Sequence, residues 1–337
     1  MTTPSVKNLP HRLRLPRLLA PLLTLALAAA LLLSPATAPP AEASPGGATV
    51  VSISQVADRQ VDLRVRSHAL GDREVMVRLL TPDGWDPGAR GGGQRWPTLW
   101  LLHGCCGDYT SWTKATDVAS IPELRNTLVV MPEAGWNGWY SDWWGTPDDN
   151  QWETFHLTEL RPLLMREFGM GSKQAVAGLS MGGQGTLLYA ARHRGMFSSA
   201  AAFSGSAHPL NSAESIARLQ GFFAHDGNDP DNVWGDPVAQ RRVWQQHDPY
   251  HLAAALTDLP VYLSCGDGTP GPFDVPGSAT DALEADFHDQ NLALATRMTE
   301  LGATNLHTNF YGPGKHNWKY WERELHASLP MLLGSIS

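Results

Sequence analysis

The sequence predicts an α/β protein with a mostly parallel central sheet and helices on both faces. Two patterns carry this prediction. Short, continuously apolar segments recur at 98–102, 127–131, 174–177, 200–203 and 261–263. Stretches with helical spacing separate several of these segments, at 153–168, 183–194 and 279–301. Strands without polar alternation are buried on both faces, and strands that alternate with helices form parallel sheets.

Residues 49–80 follow a different pattern. Apolar side chains alternate with polar ones, at Val61, Leu63 and Val65 and again at Val75, Val77 and Leu79. Gly71-Asp72 lies between these two runs and is typical of a turn. A period of two indicates strands with one buried face. We therefore expect strands joined by a turn ahead of the α/β alternation.

The chain length of 337 residues and the hydrophobic content of 42% suit one large core. We expect a single α/β domain over 44–337. Residues 206–258 are rich in Trp, Asp and Pro and break the alternation of strands and helices. This segment is predicted to be an insertion that resembles a cap.

Residues 1–43 are predicted to be a cleaved secretory signal peptide. Four basic residues precede an apolar run over 18–33, and Ala41-Glu42-Ala43 fits a small-x-small cleavage site. The alternative is an uncleaved membrane anchor, but the run is a little short for a membrane span and contains Pro21. We expect a secreted protein without a stable membrane span.

The charge balance limits the partners of the mature chain. Removal of 1–43 takes away four basic residues and one acidic residue, which changes the formal net charge from −8 to −11. Such an acidic protein is not expected to bind nucleic acid or anionic lipid. Cys105, Cys106 and Cys265 are an odd number of cysteines, so at least one thiol stays free. No Cys/His spacing resembles a zinc site, and we expect neither a metal nor a cofactor.

Gly178-Leu179-Ser180-Met181-Gly182 is a G-x-S-x-G motif between a predicted strand and a predicted helix. That context is the nucleophile elbow of an α/β-hydrolase fold, in which a sharp turn presents the serine at the top of the sheet. The alternative is a glycine-rich helix start with a capping serine. We interpret Ser180 as a nucleophile.

A serine nucleophile needs a base, and in the α/β-hydrolase fold the acid and then the base follow the serine along the chain. His316 lies in a glycine-rich loop directly after the predicted strand 306–311 and is the candidate base. Two acids remain open at this point. Asp267 directly follows a buried strand, whereas Glu284 lies near a helix start. The residues alone slightly favour Asp267.

Two backbone amides must stabilise the oxyanion. Met181, the residue after the nucleophile, is expected to supply one of them. The second is expected from the loop 103–107 after an earlier strand, and Cys105 is the candidate donor.

Five blocks between 98 and 325 resemble the mycobacterial antigen 85 mycolyltransferases and the wider esterase D family. The blocks are Tyr140-Ser141-Asp142-Trp143, Trp152-Glu153-Thr154-Phe155, Gly178-Leu179-Ser180-Met181, Cys265-Gly266-Asp267-Gly268-Thr269-Pro270 and His316-Asn317-Trp318-Lys319-Tyr320-Trp321. The resemblance implies a glutamate as the triad acid, in a Leu-Glu pair seven residues before an asparagine. Glu284 before Asn291 has this spacing, so the resemblance makes Glu284 the preferred acid and Asp267 the alternative.

The chain departs from the family where mycolyltransferases hold trehalose. An aspartate and an arginine of the family are replaced here by His103 and Cys106. We list His103, Trp143 and Trp318 as substrate-binding candidates. Four tryptophans could stack on a sugar, line an acyl tunnel or simply pack around a long loop: Trp136, Trp139, Trp143 and Trp144.

Together these features predict a secreted serine esterase or acyltransferase. Its substrate would be an acyl ester of a lipid or a small alcohol, and the acceptor would be water or the hydroxyl of a sugar or glycerol. The alternative is a non-catalytic exported adhesion or binding protein on the same scaffold. The Ser180 and His316 pair argues against that alternative.

Overall fold

The computed structural model describes residues 47–86, 88 and 93–337, so the predicted signal peptide lies outside the described residues. Within them, nine strands form one sheet. The strands are β1 (Thr49–Ala57), β2 (Gln60–Ser67), β3 (Arg73–Leu80), β4 (Trp96–Leu102), β5 (Leu128–Pro132), β6 (Met170–Leu179), β7 (Ser199–Phe203), β8 (Val261–Cys265) and β9 (Leu306–Phe310).

The strand order is β1-β2-β3-β5-β4-β6-β7-β8-β9. The first three strands are antiparallel to one another, and β3 is antiparallel to β5. All pairs from β5 to β9 are parallel, which confirms the predicted mostly parallel sheet. Strand β6 is central, since Ala175 pairs with Leu99 of β4 on one side and with Ser199 of β7 on the other.

The helices named here are α1 (Ser111–Ala115), α2 (Arg161–Glu167), α3 (Met181–Arg192), α4 (Ala213–Phe223), α5 (Asp231–Trp234), α6 (Arg241–Gln246), α7 (Ala282–Glu300) and α8 (Trp318–Ile336). A wider π-helical stretch, Thr154–Leu160, leads directly into α2. The three helical segments predicted from spacing are therefore confirmed in place. No helix among the described residues is both long and apolar enough to cross a membrane.

The sheet separates two apolar clusters. Alternate residues of β4 point to opposite faces, as the period of a strand requires. Trp100 and Leu102 join one cluster, with side chains of α2, α3 and α7. Leu99 and Leu101 join the other cluster, with Trp112 of α1 and the apolar face of α8. Both faces are thus covered by helices, which explains why β4 is continuously apolar.

The segment between β7 and β8 contains α4, α5 and α6. Its aromatic side chains pack on one another and on the loop before α2. The rings of Phe223 and Trp244 contact Trp234, whose indole N–H donates to Ser141 Oγ at 2.9 Å. The predicted insertion over 206–258 falls in this segment. Phe223 and Trp234 of this segment also contact the ring of Trp139.

Candidate active site

Ser180 lies at the sharp turn between β6 and α3. Its backbone has φ of +54° and ψ of −121°, a conformation that L-residues rarely adopt outside functional turns. A Cβ atom on Gly178 would lie 2.3 Å from Gly182 O, and one on Gly182 would lie 2.4 Å from Leu102 O. Both flanking positions therefore require glycine. The G-x-S-x-G motif folds as the elbow that the sequence predicts.

The turn places Ser180 at the N-terminus of α3, a helix of 12 residues. Met181 is the first residue of this helix, where backbone N–H groups have no partner within the helix and carry a partial positive charge. An oxyanion that develops next to Ser180 would meet that N–H.

Ser180 and His316 line one cavity of about 380 Å³. The wall also includes Leu179 and the aromatic rings of Trp318 and Trp321. Polar contributions come from Ser111 and Asn317. Of the sequence-predicted residues, Ser180, His316, Cys105 and Trp318 meet here. None of the residues that line this cavity belongs to the 206–258 segment.

His316 is held by Glu284, whose side chain is completely buried. The distance from His316 Nδ1 to Glu284 Oε2 is 2.6 Å. The backbone N–H of His316 donates to Asp281 Oδ2 at 3.2 Å, and Asp281 also caps the start of α7. Because Nδ1 faces the carboxylate, Nε2 is the nitrogen left for the serine. No hydrogen bond joins Ser180 Oγ to His316 among the described residues, which is common before substrate binds.

The other candidate acid, Asp267, lies apart from this pair. Its Oδ1 accepts hydrogen bonds from the Thr269 N–H at 2.8 Å and from the Thr269 hydroxyl at 2.5 Å. Asp267 thus stabilises its own turn. The geometry pairs His316 with Glu284, as the resemblance implies, and not with the acid that the residues alone slightly favour.

Two residues that the sequence analysis missed hold Glu284 and His316. Ser204 follows β7 with φ of +45° and donates to Glu284 Oε1 at 2.7 Å. The Trp321 indole N–H donates to Ser204 Oγ at 3.0 Å, and the Trp321 ring lies edge-on to His316 at 4.8 Å. The available signal was the position of Ser204 at the carboxyl end of a parallel strand, where functional side chains gather.

Glu284 Oε1 has further donors. The Gly266 N–H lies at 2.8 Å and the Cys265 thiol at 3.2 Å. Burial, together with the neighbouring Glu284 carboxylate, raises the pKa of Cys265 well above its usual value. This thiol is therefore protonated and unreactive.

The loop after β4 packs directly against the nucleophile. A Cβ atom on Gly104 would lie 2.6 Å from Leu179 Cδ1 and 3.2 Å from Ser180 Cβ. The Cys106 N–H donates to Trp136 O at 3.0 Å and is therefore occupied. Cys105 also lines the cavity, and its amide stays the candidate second donor to the oxyanion.

The structure corrects the expectation that His103 binds substrate. Its ring is buried, and its Nε2 accepts a hydrogen bond from the Ala134 N–H at 3.1 Å. Nδ1 must then carry the proton, which it donates to Gly104 O at 2.8 Å. Both ring nitrogens are used by backbone groups. His103 therefore holds the loop after β4 through these backbone contacts, and its side chain is not part of the cavity wall.

Trp143 is likewise not in the wall of the Ser180 cavity. It lines a different cavity together with Trp136 and Trp152. Trp139 is buried among Phe222, Phe223 and Trp234. Of the four tryptophans of this loop, none belongs to the lining of the Ser180 cavity among the described residues.

Known proteins share the sequence family and the fold of this chain. The Esterase family model matches residues 67–332. The chain belongs to this family. It is 30% identical to the protein named "Diacylglycerol acyltransferase/mycolyltransferase Ag85B" of Mycobacterium leprae, over 89% of this chain and 92% of that protein.

Solved structures show the same fold. The crystal structure of Mycobacterium tuberculosis MPT51 (FbpC1) superposes with a TM-score of 0.69 at 24% identity, over 83% of this chain and all of that chain. The Staphylococcus aureus fluorophosphonate-binding serine hydrolase FphF gives a TM-score of 0.62 at 19% identity, over 81% of this chain and 98% of that chain. This member of the Esterase family has the α/β-hydrolase fold and is an enzyme, an esterase or acyltransferase.

Proposed function

We propose that the enzyme acts through an acyl-Ser180 intermediate, with His316 as the base and Glu284 as the acid that orients it. The single observation that carries the proposal is the junction of a strained Ser180 turn and the buried Glu284–His316 pair at one cavity. A non-catalytic binding protein has no need of either feature, and that alternative is not favoured.

The chemistry follows from these positions. As Ser180 Oγ attacks the ester carbonyl carbon, His316 Nε2 takes the hydroxyl proton. The Met181 and Cys105 amides stabilise the tetrahedral oxyanion. His316 then gives the proton to the departing alkoxide, which leaves acyl-Ser180. Water or an alcohol attacks this ester, His316 removes its proton, and Ser180 is released with the proton back on Oγ.

The cavity supports a small acyl ester as substrate. Its volume of about 380 Å³ is near the lower end of the range of roughly 300–1,000 Å³ typical of small-molecule sites. Trp318, Trp321 and Leu179 offer apolar surface for an acyl group. The Mycobacterium leprae relative is named an acyltransferase, so a sugar or glycerol hydroxyl is the proposed alternative acceptor to water.

A fluorophosphonate probe tests the nucleophile. The wild-type protein is expected to be labelled and to hydrolyse a chromogenic short-chain ester. Ser180→Ala should abolish labelling and lower kcat by roughly 10⁴-fold or more. Ser111→Ala is the matched control, since Ser111 lines the same cavity, and it should still be labelled. Absence of both labelling and turnover in the wild-type protein would contradict the proposal.

The acceptor is tested by product analysis with added glycerol or trehalose. Because His103 is buried and Cys106 replaces the family's arginine, we expect trehalose to be no better than glycerol. Acyl-glycerol above the background without acceptor indicates transfer, and its absence assigns the enzyme to hydrolysis. A clear preference for trehalose would contradict our view of the missing sugar clamp.

We also propose export, on the basis of the basic, apolar and small-residue pattern of 1–43. Mass spectrometry of the protein recovered from the medium should find an N-terminus at Ser44. An intact N-terminus on membrane-bound protein would favour the uncleaved anchor instead.

A further inference from the structure

A second histidine–carboxylate cluster lies outside the active site, between the loop after β7 and the turn before β8. His208 Nδ1 lies 2.8 Å from Asp248 Oδ2, and His251 Nδ1 lies 3.3 Å from the same oxygen. The three ligand atoms all lie within 4.8 Å of one another. Two imidazole nitrogens thus converge on one carboxylate oxygen.

The cluster is held rigidly by its surroundings. Asp248 is completely buried, and its Oδ2 accepts the Leu210 N–H at 3.2 Å. The Tyr250 N–H is shared between Asp248 Oδ1 at 3.0 Å and Ala207 O at 3.1 Å. The His208 ring stacks on Tyr250 with the ring centroids 4.1 Å apart. Such outer contacts orient metal ligands in known sites.

The donor set selects the class of ion. Two imidazoles and one carboxylate suit Zn²⁺ or a neighbouring divalent transition metal, whereas Ca²⁺ and Mg²⁺ prefer oxygen ligands alone. With zinc–ligand bonds of about 2.0–2.1 Å, tetrahedral ligand atoms lie about 3.3 Å apart. The His251–Asp248 distance already fits this value, and His208 needs to open by about half an ångström.

His251 also supplies an entry path. Its side chain is 30% exposed, whereas that of Asp248 is fully buried. An ion could enter from this side and keep a water molecule as its fourth ligand, as zinc sites with three protein ligands do. We propose that His208, Asp248 and His251 form a binding site for Zn²⁺, separate from Ser180. In that site each histidine ligates the metal through Nδ1 and, as a neutral imidazole, carries its single proton on Nε2.

The test is calorimetric titration of the mature protein with ZnCl₂, using protein purified without a polyhistidine tag. We expect one Zn²⁺ per chain with a micromolar or tighter Kd. His208→Ala and His251→Ala should each weaken binding at least tenfold, and the double variant should abolish it. His326→Ala is the control, since His326 pairs with Asp117 elsewhere on the surface and its loss should leave the Kd unchanged.

Two further measurements keep the result decisive. Saturating Zn²⁺ should raise the Tm of the wild-type protein and of His326→Ala, but not of the double variant, because a ligand stabilises the state that binds it. Co²⁺ should give the visible absorption of a tetrahedral site in the wild-type protein and should not give it in the double variant. A failure to bind Zn²⁺, or a Kd unaffected in His208→Ala and His251→Ala, would overturn the proposal. Neither outcome depends on ester turnover.

Discussion

Two histidine–carboxylate pairs in this protein resemble each other closely and differ in what surrounds them. In both pairs the carboxylate is completely buried and contacts the Nδ1 of its histidine, at 2.6 Å for Glu284–His316 and 2.8 Å for Asp248–His208. Beside His316 lie a cavity and a strained serine. Beside His208 lies a second histidine. A buried histidine–carboxylate pair therefore does not by itself indicate catalysis. The group next to the pair, a serine in one case and a second histidine in the other, decides what chemistry the pair can support.

Among variants of these two pairs, the largest expected effect comes from Glu284→Gln. Without the carboxylate, His316 loses the group that fixes its tautomer and stabilises its charged form. We expect kcat for ester hydrolysis to fall by roughly 10³–10⁴-fold. Asp267→Asn is the matched control and should stay within tenfold of wild type, because Asp267 only caps its own turn. Comparable losses in both variants would contradict the assignment of the acid.

The corresponding change in the other pair, Asp248→Asn, should affect stability and leave catalysis intact. An asparagine amide group would face backbone N–H donors that now meet carboxylate oxygens. We expect a loss of about 2–4 kcal/mol in the free energy of unfolding, measured in urea. Asp117→Asn, in the exposed His326 pair, should cost less than about 0.5 kcal/mol. A large loss of kcat in folded Asp248→Asn protein would contradict the view that the Asp248–His208 pair takes no part in catalysis.

Histidines buried without a carboxylate in contact show a third behaviour. Burial lowers the pKa of His247 to about 4 and that of His156 to about 3. The unfolded chain, with a histidine pKa near 6.5, binds these protons first as the pH falls. The two neutral histidines therefore contribute to the free energy of unfolding above pH 6.5, and this contribution is lost as the pH falls. For each histidine, the free energy of unfolding should decrease by about 2 kcal/mol from pH 7 to pH 5.

His247→Gln tests this behaviour, since an amide can still donate to Val243 O. Unfolding in urea at pH 7 and pH 5 should show a smaller pH dependence than in the wild-type protein, by about 2 kcal/mol. An unchanged difference between the two pH values would refute the contribution of His247.

The smallest expected effect concerns Ser204, which we regard as a positioning residue for Glu284. Ser204→Ala removes one donor to the carboxylate and leaves the Trp321 N–H without its acceptor. We expect kcat to fall about tenfold, with little change in KM. Ser204→Gly also lacks the hydroxyl but accepts φ of +45° more readily. Equal loss of kcat in the two variants, together with a shifted pH profile, supports positioning. Recovery of kcat in the glycine variant would point to backbone strain instead.

Much of the fold and part of the site could be predicted because their signals are local. The alternation of apolar segments with helical stretches predicts the parallel sheet, which the structure confirms. The elbow depends on five adjacent residues, and the position of His316 depends on a loop directly after a strand. The expectation that His103 binds substrate was wrong, because it depended on a position where mycolyltransferases carry a trehalose-holding aspartate. Only the packed structure shows that both of its ring nitrogens are occupied by backbone groups.

The sequence by itself determined the nucleophile turn and the order of strands and helices, because each of these is decided by residues within a few positions of one another. The residues alone left Asp267 and Glu284 open as the acid, and the family resemblance favoured Glu284, which the tertiary structure places against His316. Tertiary structure alone decided which serine supports that carboxylate and that a second cluster exists. Glu284 is 32 residues from His316 and 80 from Ser204, and His208 is 40 residues from Asp248. Such contacts depend on how distant loops are brought to one edge of the sheet, so the chemistry of neighbouring residues does not specify them.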